Sequence, residues 1–552
     1  MNRLLRNVLI ALAVLVVLVI LVVVGIGFYA KSQILDSGGP LKPLEAVYDV
    51  RHYDLDLAVD PASRSIRGRN VATLRAVEDA TAIELDLDGR LEITALAVDG
   101  SAASWVHRHG AVRIELPGPW RSGERHEVRI EWRGRPKKAL KAPWIDGFVW
   151  KRTPEGDRPW IGVTCEGDGA DIWWPCKDHP SDEPDEGVRI ALTVPKGLVG
   201  LSNGRPLGTT DNGDGTVTSR WEVTYPINNY DVTVNIAPYV PVEARYHGVD
   251  GTLDLPILFW ALPEHRAEAE RMWRQAPRLL GILASWFGEY PFIRDKYWVA
   301  EAPYLGMEHQ TLVAYGADFE DNSYGFDDLL LHETAHEWWG NAVTAADWAD
   351  FWLHEGFATW AEAACADSLG GRKEYLRYMR LLRHRIANRK PIVQGRNLTA
   401  AKAYTGDIYA KGAWVLHMLR GILGDETFRR VILGFATDPR IRYHTVTTGD
   451  WIAWVREATG RDLDWFWSRY LYRAELPEAT VSIEPGDRVR VRWKDDAFQL
   501  PVPVSWEGGR AVLGPANGWS VAVPEGATVT VDPEGWTLAT YVARNARIIV
   551  PQ

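Results

Sequence analysis

The chain has 552 residues, a formal net charge of −11, 27 tryptophans and three cysteines. That length is more than one hydrophobic core organises, so about three domains are expected. An acidic balance with no long basic run argues against nucleic acid as a partner, and the tryptophans point to large buried aromatic surfaces.

Residues Val8 to Ala30 carry no charged side chain and are rich in Val, Leu and Ile. Such a run is long enough to cross a hydrocarbon core of about 30 Å. It exceeds the apolar region of a cleaved signal peptide, which predicts a retained anchor over residues 1–31 with the lipid bilayer as a partner. Arg3 and Arg6 precede it, which predicts a single-pass protein with a cytoplasmic N-terminus. The remainder then lies in a periplasm or outside the cell. Gly38, Gly39, Pro40 and Pro43 mark residues 32–46 as a linker.

From Val47 the hydrophobic period becomes two. Tyr53, Leu55, Leu57 and Val59 alternate with polar or small residues, and Val128, Ile130 and Trp132 repeat the pattern, as do Val232, Val234 and Ile236. Residues 47–246 are therefore expected to form a β domain. Asp168, Asp171, Asp211 and Asp214 fit no calcium-loop spacing and read as structural turns. Cys165 and Cys176 read as buried free thiols, although a disulfide is open to them in an oxidising compartment. Cys365 reads as core.

Apolar residues at Ala276, Leu279, Leu280, Leu283 and Phe287 mark one face of a helix. Helical patterns continue to about Tyr472, giving a mostly helical domain over residues 247–476. Within it stands His332-Glu333-Thr334-Ala335-His336, and eighteen residues separate His336 from Glu355. On a helix, histidines four apart project from one face. Two neutral imidazoles and a carboxylate suit one zinc ion and leave a fourth position open, as a catalytic site requires. Glu333 points away from the ligand pair, in the place of a general base. Alternation returns in Val489, Val491 and Trp493, so residues 477–552 are expected to form a small β module. The fold class is thus multi-domain α+β.

Further segments accompany the zinc motif. They are Gly306-Met307-Glu308-His309-Gln310, Tyr404-Thr405-Gly406-Asp407-Ile408-Tyr409-Ala410-Lys411-Gly412, Cys165-Glu166, Trp174-Pro175-Cys176-Lys177-Asp178 and Ser202-Asn203-Gly204. Taken with H-E-T-A-H-E-W-W-G-N-A-V and W-L-H-E-G-F-A-T-W-A-E, the chain resembles the zinc aminopeptidase N family, which includes the leukotriene hydrolases. The resemblance implies a saddle-like β domain and a thermolysin-like catalytic domain. It implies one zinc per chain on His332, His336 and Glu355, with Glu333 as base and Tyr409 as the hydroxyl that meets the oxyanion. It further implies Glu308 and Glu166 as receivers of a substrate's free amine, Met307 and Tyr404 as pocket residues, and peptides with a free N-terminus as substrates. Leu305, His309 and His354 depart from the family pattern, so amine recognition rests on less than zinc binding does. Two other readings stay open, a zinc endopeptidase and a catalytically silent binding protein on the same scaffold.

Overall fold

The structure is a computed structural model that describes Leu12, residues 15–19 and residues 36–551. Leu12 and residues 15–19 are helical and about half exposed, and the rest of the expected anchor lies outside the described residues. No helix among the described residues is long and apolar enough to cross a membrane.

The alternation that begins near Val47 builds an eight-stranded sheet. Its strand Tyr48–Asp60 pairs antiparallel with Ser65–Ala76 and parallel with Val188–Pro195. Tyr53, Leu55, Leu57 and Val59 all face the core, as the period of two requires. A three-stranded sheet holds Ala80–Asp86, Ala111–Trp120 and Ser104–Arg108. A four-stranded sheet holds Val199–Ser202, Val234–Ala237, Pro159–Thr164 and Gly147–Arg152. Its strand Pro159–Thr164 delivers Cys165 and Glu166 directly from its end.

The strand Val240–Tyr246, grouped from its alternation with the β domain, sits elsewhere. It pairs with Leu255–Ala261, with Tyr246 opposite Leu255, in a five-stranded sheet that also contains Tyr297–Glu301, Leu312–Tyr315 and Gly306–Met307. The expected boundary at 246 therefore falls inside a hairpin. A period of two announces a strand but not the sheet it joins. After this sheet come the helices. Ala276–Phe287 buries Ala276, Leu279, Leu280, Leu283 and Phe287, the face read from spacing. Residues beyond Glu478 form two four-stranded sheets.

Residues 36–46 of the expected linker are not a free linker, and residues 32–35 lie outside the described residues. From residue 36 the segment is docked. Ser37 N–H donates to the Gly167 carbonyl at 3.0 Å, and Ala400 N–H donates to the Ser37 carbonyl at 3.0 Å. Gly39 N–H reaches the Leu398 carbonyl at 3.1 Å, and Trp348 Nε1–H reaches Ser37 Oγ at 3.2 Å. Gly38 has φ +79, and a Cβ there would stand 2.4 Å from Trp348 Cδ1, so only glycine fits. Pro43–Ala46 is a short helix whose Glu45 is buried and pairs with Lys42 at 3.0 Å. Lys42 also pairs with Glu84 and Asp86 of the β domain. The segment is a strap that ties residues near Glu166 to residues near Tyr404. Glycine and proline serve close backbone approach as readily as flexibility, so composition alone does not separate the two.

The acidic loops divide. Asp211 and Asp214 cap a hairpin turn, accepting from Gly213 N–H and Thr216 N–H at 3.0 Å each. Asp168 and Asp171 are buried instead. Asp168 pairs with buried Lys137, and burial with nearby Asp178 holds the Asp171 carboxyl well above its usual range. Cys165, Cys176 and Cys365 are free and buried.

Candidate active site

The helix Asp328–Ala335 starts at Asp327, whose side chain accepts from Leu330 N–H at 2.9 Å, as an N-cap should. Its last turn carries His332 and Glu333, and His336 caps its end. The chain then turns through Trp338, Trp339 and Gly340, which has φ +129. That turn brings the Trp339 carbonyl back to His336 Nδ1 at 2.8 Å. The helix Trp352–Gly370 is buried from Trp352 through Ala366 and carries Glu355. It crosses the helix Asp407–Leu423 at two glycines. A Cβ on Gly356 would lie 2.9 Å from Gly412 Cα, so this crossing requires both to stay bare. Glu355 precedes one glycine and Tyr409 lies three residues before the other.

The three expected ligand atoms converge. His332 Nε2 and His336 Nε2 are 3.2 Å apart, and they lie 3.3 Å and 3.5 Å from Glu355 Oε2. Donors bound tetrahedrally at 2.0–2.1 Å from zinc lie about 3.3 Å apart. The tautomers agree. His336 gives its Nδ1–H to Trp339, and His332 gives its own to Glu362 Oε1 at 2.7 Å. Both Nε2 atoms therefore turn lone pairs toward each other and toward a carboxylate. Glu355 Oε2 is buried without a hydrogen-bond partner. Three acceptors with no donor between them fit a cation, and neutral imidazoles with one carboxylate fit zinc.

The expected base sits beside this cluster. Glu333 is buried, and a Cβ on Gly306 would stand 2.4 Å from its Oε1, so that glycine makes room for the carboxylate. Burial pushes Glu333 up to about 8. The Tyr409 ring lies nearly parallel to His332 with centroids 6.1 Å apart, and its hydroxyl is 3.2 Å from that of Tyr404. Glu308 follows the edge strand Gly306–Met307, and its Oε1 accepts from Tyr230 OH at 3.3 Å. Ligand atoms of Glu166, Glu308 and His354 lie within 4.8 Å of one another. Burial, and then the charge of Glu308, hold the Glu166 carboxyl well above its usual range. One cavity of about 250 Å³ is lined by Glu166, Met307, Glu308, Glu333, Tyr404 and Tyr409 together with the zinc-ligand trio.

His354 takes a defined place. Its Nε2 accepts from Ala345 N–H at 2.8 Å, and burial drops its pKa to about 3. The neutral ring must then carry its proton on Nδ1, which leaves no lone pair for a metal. The sequence motif does not by itself single out Glu362, which also belongs to this site. It stands seven positions after Glu355, on the same helix face. It accepts from both His332 and Tyr378 OH, the latter at 2.5 Å. Its position was the available signal. Replacing Glu362 with Ala is expected to weaken zinc affinity about 10–100-fold by freeing the His332 ring. Competition against a calibrated chelator measures this, and unchanged affinity would show that packing alone orients His332.

Comparison with known proteins agrees with the geometry. The Peptidase M1 N-terminal domain model matches residues 50–230, and the Peptidase family M1 domain model matches residues 295–470. Leukotriene A-4 hydrolase of Xenopus laevis is 25% identical over 73% of this chain and 67% of its own length. Aminopeptidase N of Bos taurus is 24% identical over 66% of this chain, which spans 38% of that protein. A solved M1 zinc metallopeptidase of Deinococcus radiodurans, a mutant bound to a Tyr-Ser-Ala substrate, is 26% identical with a TM-score of 0.66, covering 81% of this chain and 98% of that one. Both models of one family match in chain order, and the catalytic model spans the three converging donors. The chain therefore belongs to peptidase family M1 and is a zinc metallopeptidase.

Proposed function

We propose that this protein is a membrane-anchored aminopeptidase that removes N-terminal residues from peptides outside the cytoplasm. The observation that carries the specificity is the pair Glu166 and Glu308 in the lining of the cavity. Two carboxylates this close, one buried and one part-buried, repel, and among the described residues no Lys or Arg lines the cavity with them. A substrate's terminal ammonium is the cation that such a pair lacks. The anchor rests on the run from Val8 to Ala30 and on Arg3 and Arg6.

In this reading His332, His336 and Glu355 hold the zinc. Zinc, when bound, makes water acidic enough to attack near neutral pH and polarises a carbonyl. Glu333 takes the proton from the attacking water and returns it to the leaving amine. The Tyr409 hydroxyl donates to the scissile carbonyl oxygen as charge builds there. Glu308 and Glu166 fix the register, so the first peptide bond and no other meets Glu333. Tyr404 and Met307 wall the space for the first side chain.

A charge-assisted hydrogen bond to the ammonium is worth about 1.5–3 kcal/mol, or roughly tenfold to a hundredfold in affinity. Free-amine peptides are thus expected to lose one residue at a time, and N-acetylated ones to be cleaved hardly at all. Glu308→Ala should narrow that gap. Product analysis by mass spectrometry checks both. Internal cleavage of acetylated peptides at comparable rates would favour an endopeptidase and remove the role given to Glu308.

A further inference from the structure

We propose that the mouth of the catalytic cavity lies against the bilayer, with the loop Lys138–Trp144 seated among anionic lipid headgroups. The proposal rests on the anchor reading above and adds an orientation to it. The strap supplies the geometry. Ala401 N–H donates to Asp36 Oδ1 at 3.0 Å, Ala400 N–H to the Ser37 carbonyl, and Ser37 N–H to the Gly167 carbonyl. Gly167, Ala400 and Ala401 all line the cavity. The strap therefore enters the described fold at the cavity's rim. Six residue steps separate Ala30, the last of the apolar run, from Asp36, a reach of at most about 22 Å. A compact chain of this size is roughly 60 Å across. So short a tether keeps its own face of the protein, the rim, toward the membrane.

The chemistry of that rim matches a lipid surface. Trp144 lines the cavity and is 53% exposed, and Leu140 is 50% exposed. Lys141 Nζ lies 4.8 Å from the Trp144 ring centroid. Lys138 and Lys141 are exposed on this loop, and Arg396 and Lys402 are exposed beside the strap's partners Leu398 to Ala401. Among the described residues, none of these four cations has a carboxylate within ion-pair distance, in a chain whose net charge is −11. Exposed Trp and unpaired Lys and Arg are the side chains that settle at an anionic bilayer interface. Substrates would then reach Glu333 by moving along the membrane surface.

The three native cysteines are buried, so an introduced surface thiol can be labelled alone. The test uses the full chain with Leu140→Cys, and as controls Val249→Cys and Val512→Cys, at residues 58% and 45% exposed. Each variant carries an environment-sensitive dye, retains peptide hydrolysis, and is reconstituted in vesicles of equal phosphatidylcholine and phosphatidylglycerol with and without brominated chains. Quenching at residue 140 is expected to exceed that at 249 and 512 on the order of threefold, because an interfacial group sits within reach of the acyl boundary. Alkaline extraction is read in parallel. A chain that stays in the bilayer but shows equal quenching at all three positions overturns the orientation alone. A chain released by alkali overturns the anchor and this orientation with it.

Discussion

Glu333→Gln is expected to keep its zinc and lose at least about 10²-fold in turnover, the low end for removal of a general base. His336→Ala and Glu355→Ala are expected to lose most of the metal instead. The contrast follows from the geometry. His336 Nε2 and Glu355 Oε2 belong to the trio spaced 3.2–3.5 Å apart, whereas Glu333 lies beside it under Gly306. Metal analysis and steady-state rates on the same preparations separate the effects. Near-normal turnover in Glu333→Gln would mean that another group accepts the water's proton, and full zinc in both ligand variants would break the assigned donor set.

Lys137→Ala is expected to cost about 3–5 kcal/mol of stability, the usual penalty for stripping one partner from a buried ion pair. Lys137 is 2% exposed and its partner Asp168 is 4% exposed. Burial and the charge of Asp146 already lift Asp168 to about 6, against the pull of Lys137. A carboxyl raised in the folded state contributes its stability below its unfolded pKa and loses it as pH rises through the folded value. Without Lys137 the folded pKa rises further, so the variant's deficit should be larger near pH 8 than near pH 5. Denaturant midpoints at the two pH values measure this. A deficit that stays small and does not change with pH would show that Asp168 finds another partner.

The sequence announced the parts whose physics is periodic or local. Alternation at Tyr53 to Val59 names an inward face because side chains on a strand alternate by construction. The spacing of His332 and His336 names a shared helix face for the same kind of reason. What stayed hidden depends on which distant segments meet. Glu362 was visible as a carboxylate on the face of Glu355, but nothing local says that His332 donates a hydrogen bond to it. Asp168 read as a turn residue because its partner Lys137 lies 31 positions earlier. The strap read as a linker because Gly38 and Gly39 gain their meaning only from Trp348 and Leu398. Val240–Tyr246 showed its strand character but not its sheet, since pairing is chosen by hairpin geometry and core fit.

The contact between Gly356 and Gly412 has a consequence for accuracy. Glu355 and Tyr409 arrive on separate helices, yet both stand within one turn of the same bare crossing. Each groups its reach from a common fulcrum, where backbone meets backbone and no side chain can shift to absorb error. A metal donor and a proton donor are thereby set by one measurement rather than two. Any wedge at the fulcrum would swing both arms at once, so the site has a shared zero point and no independent adjustment for either group.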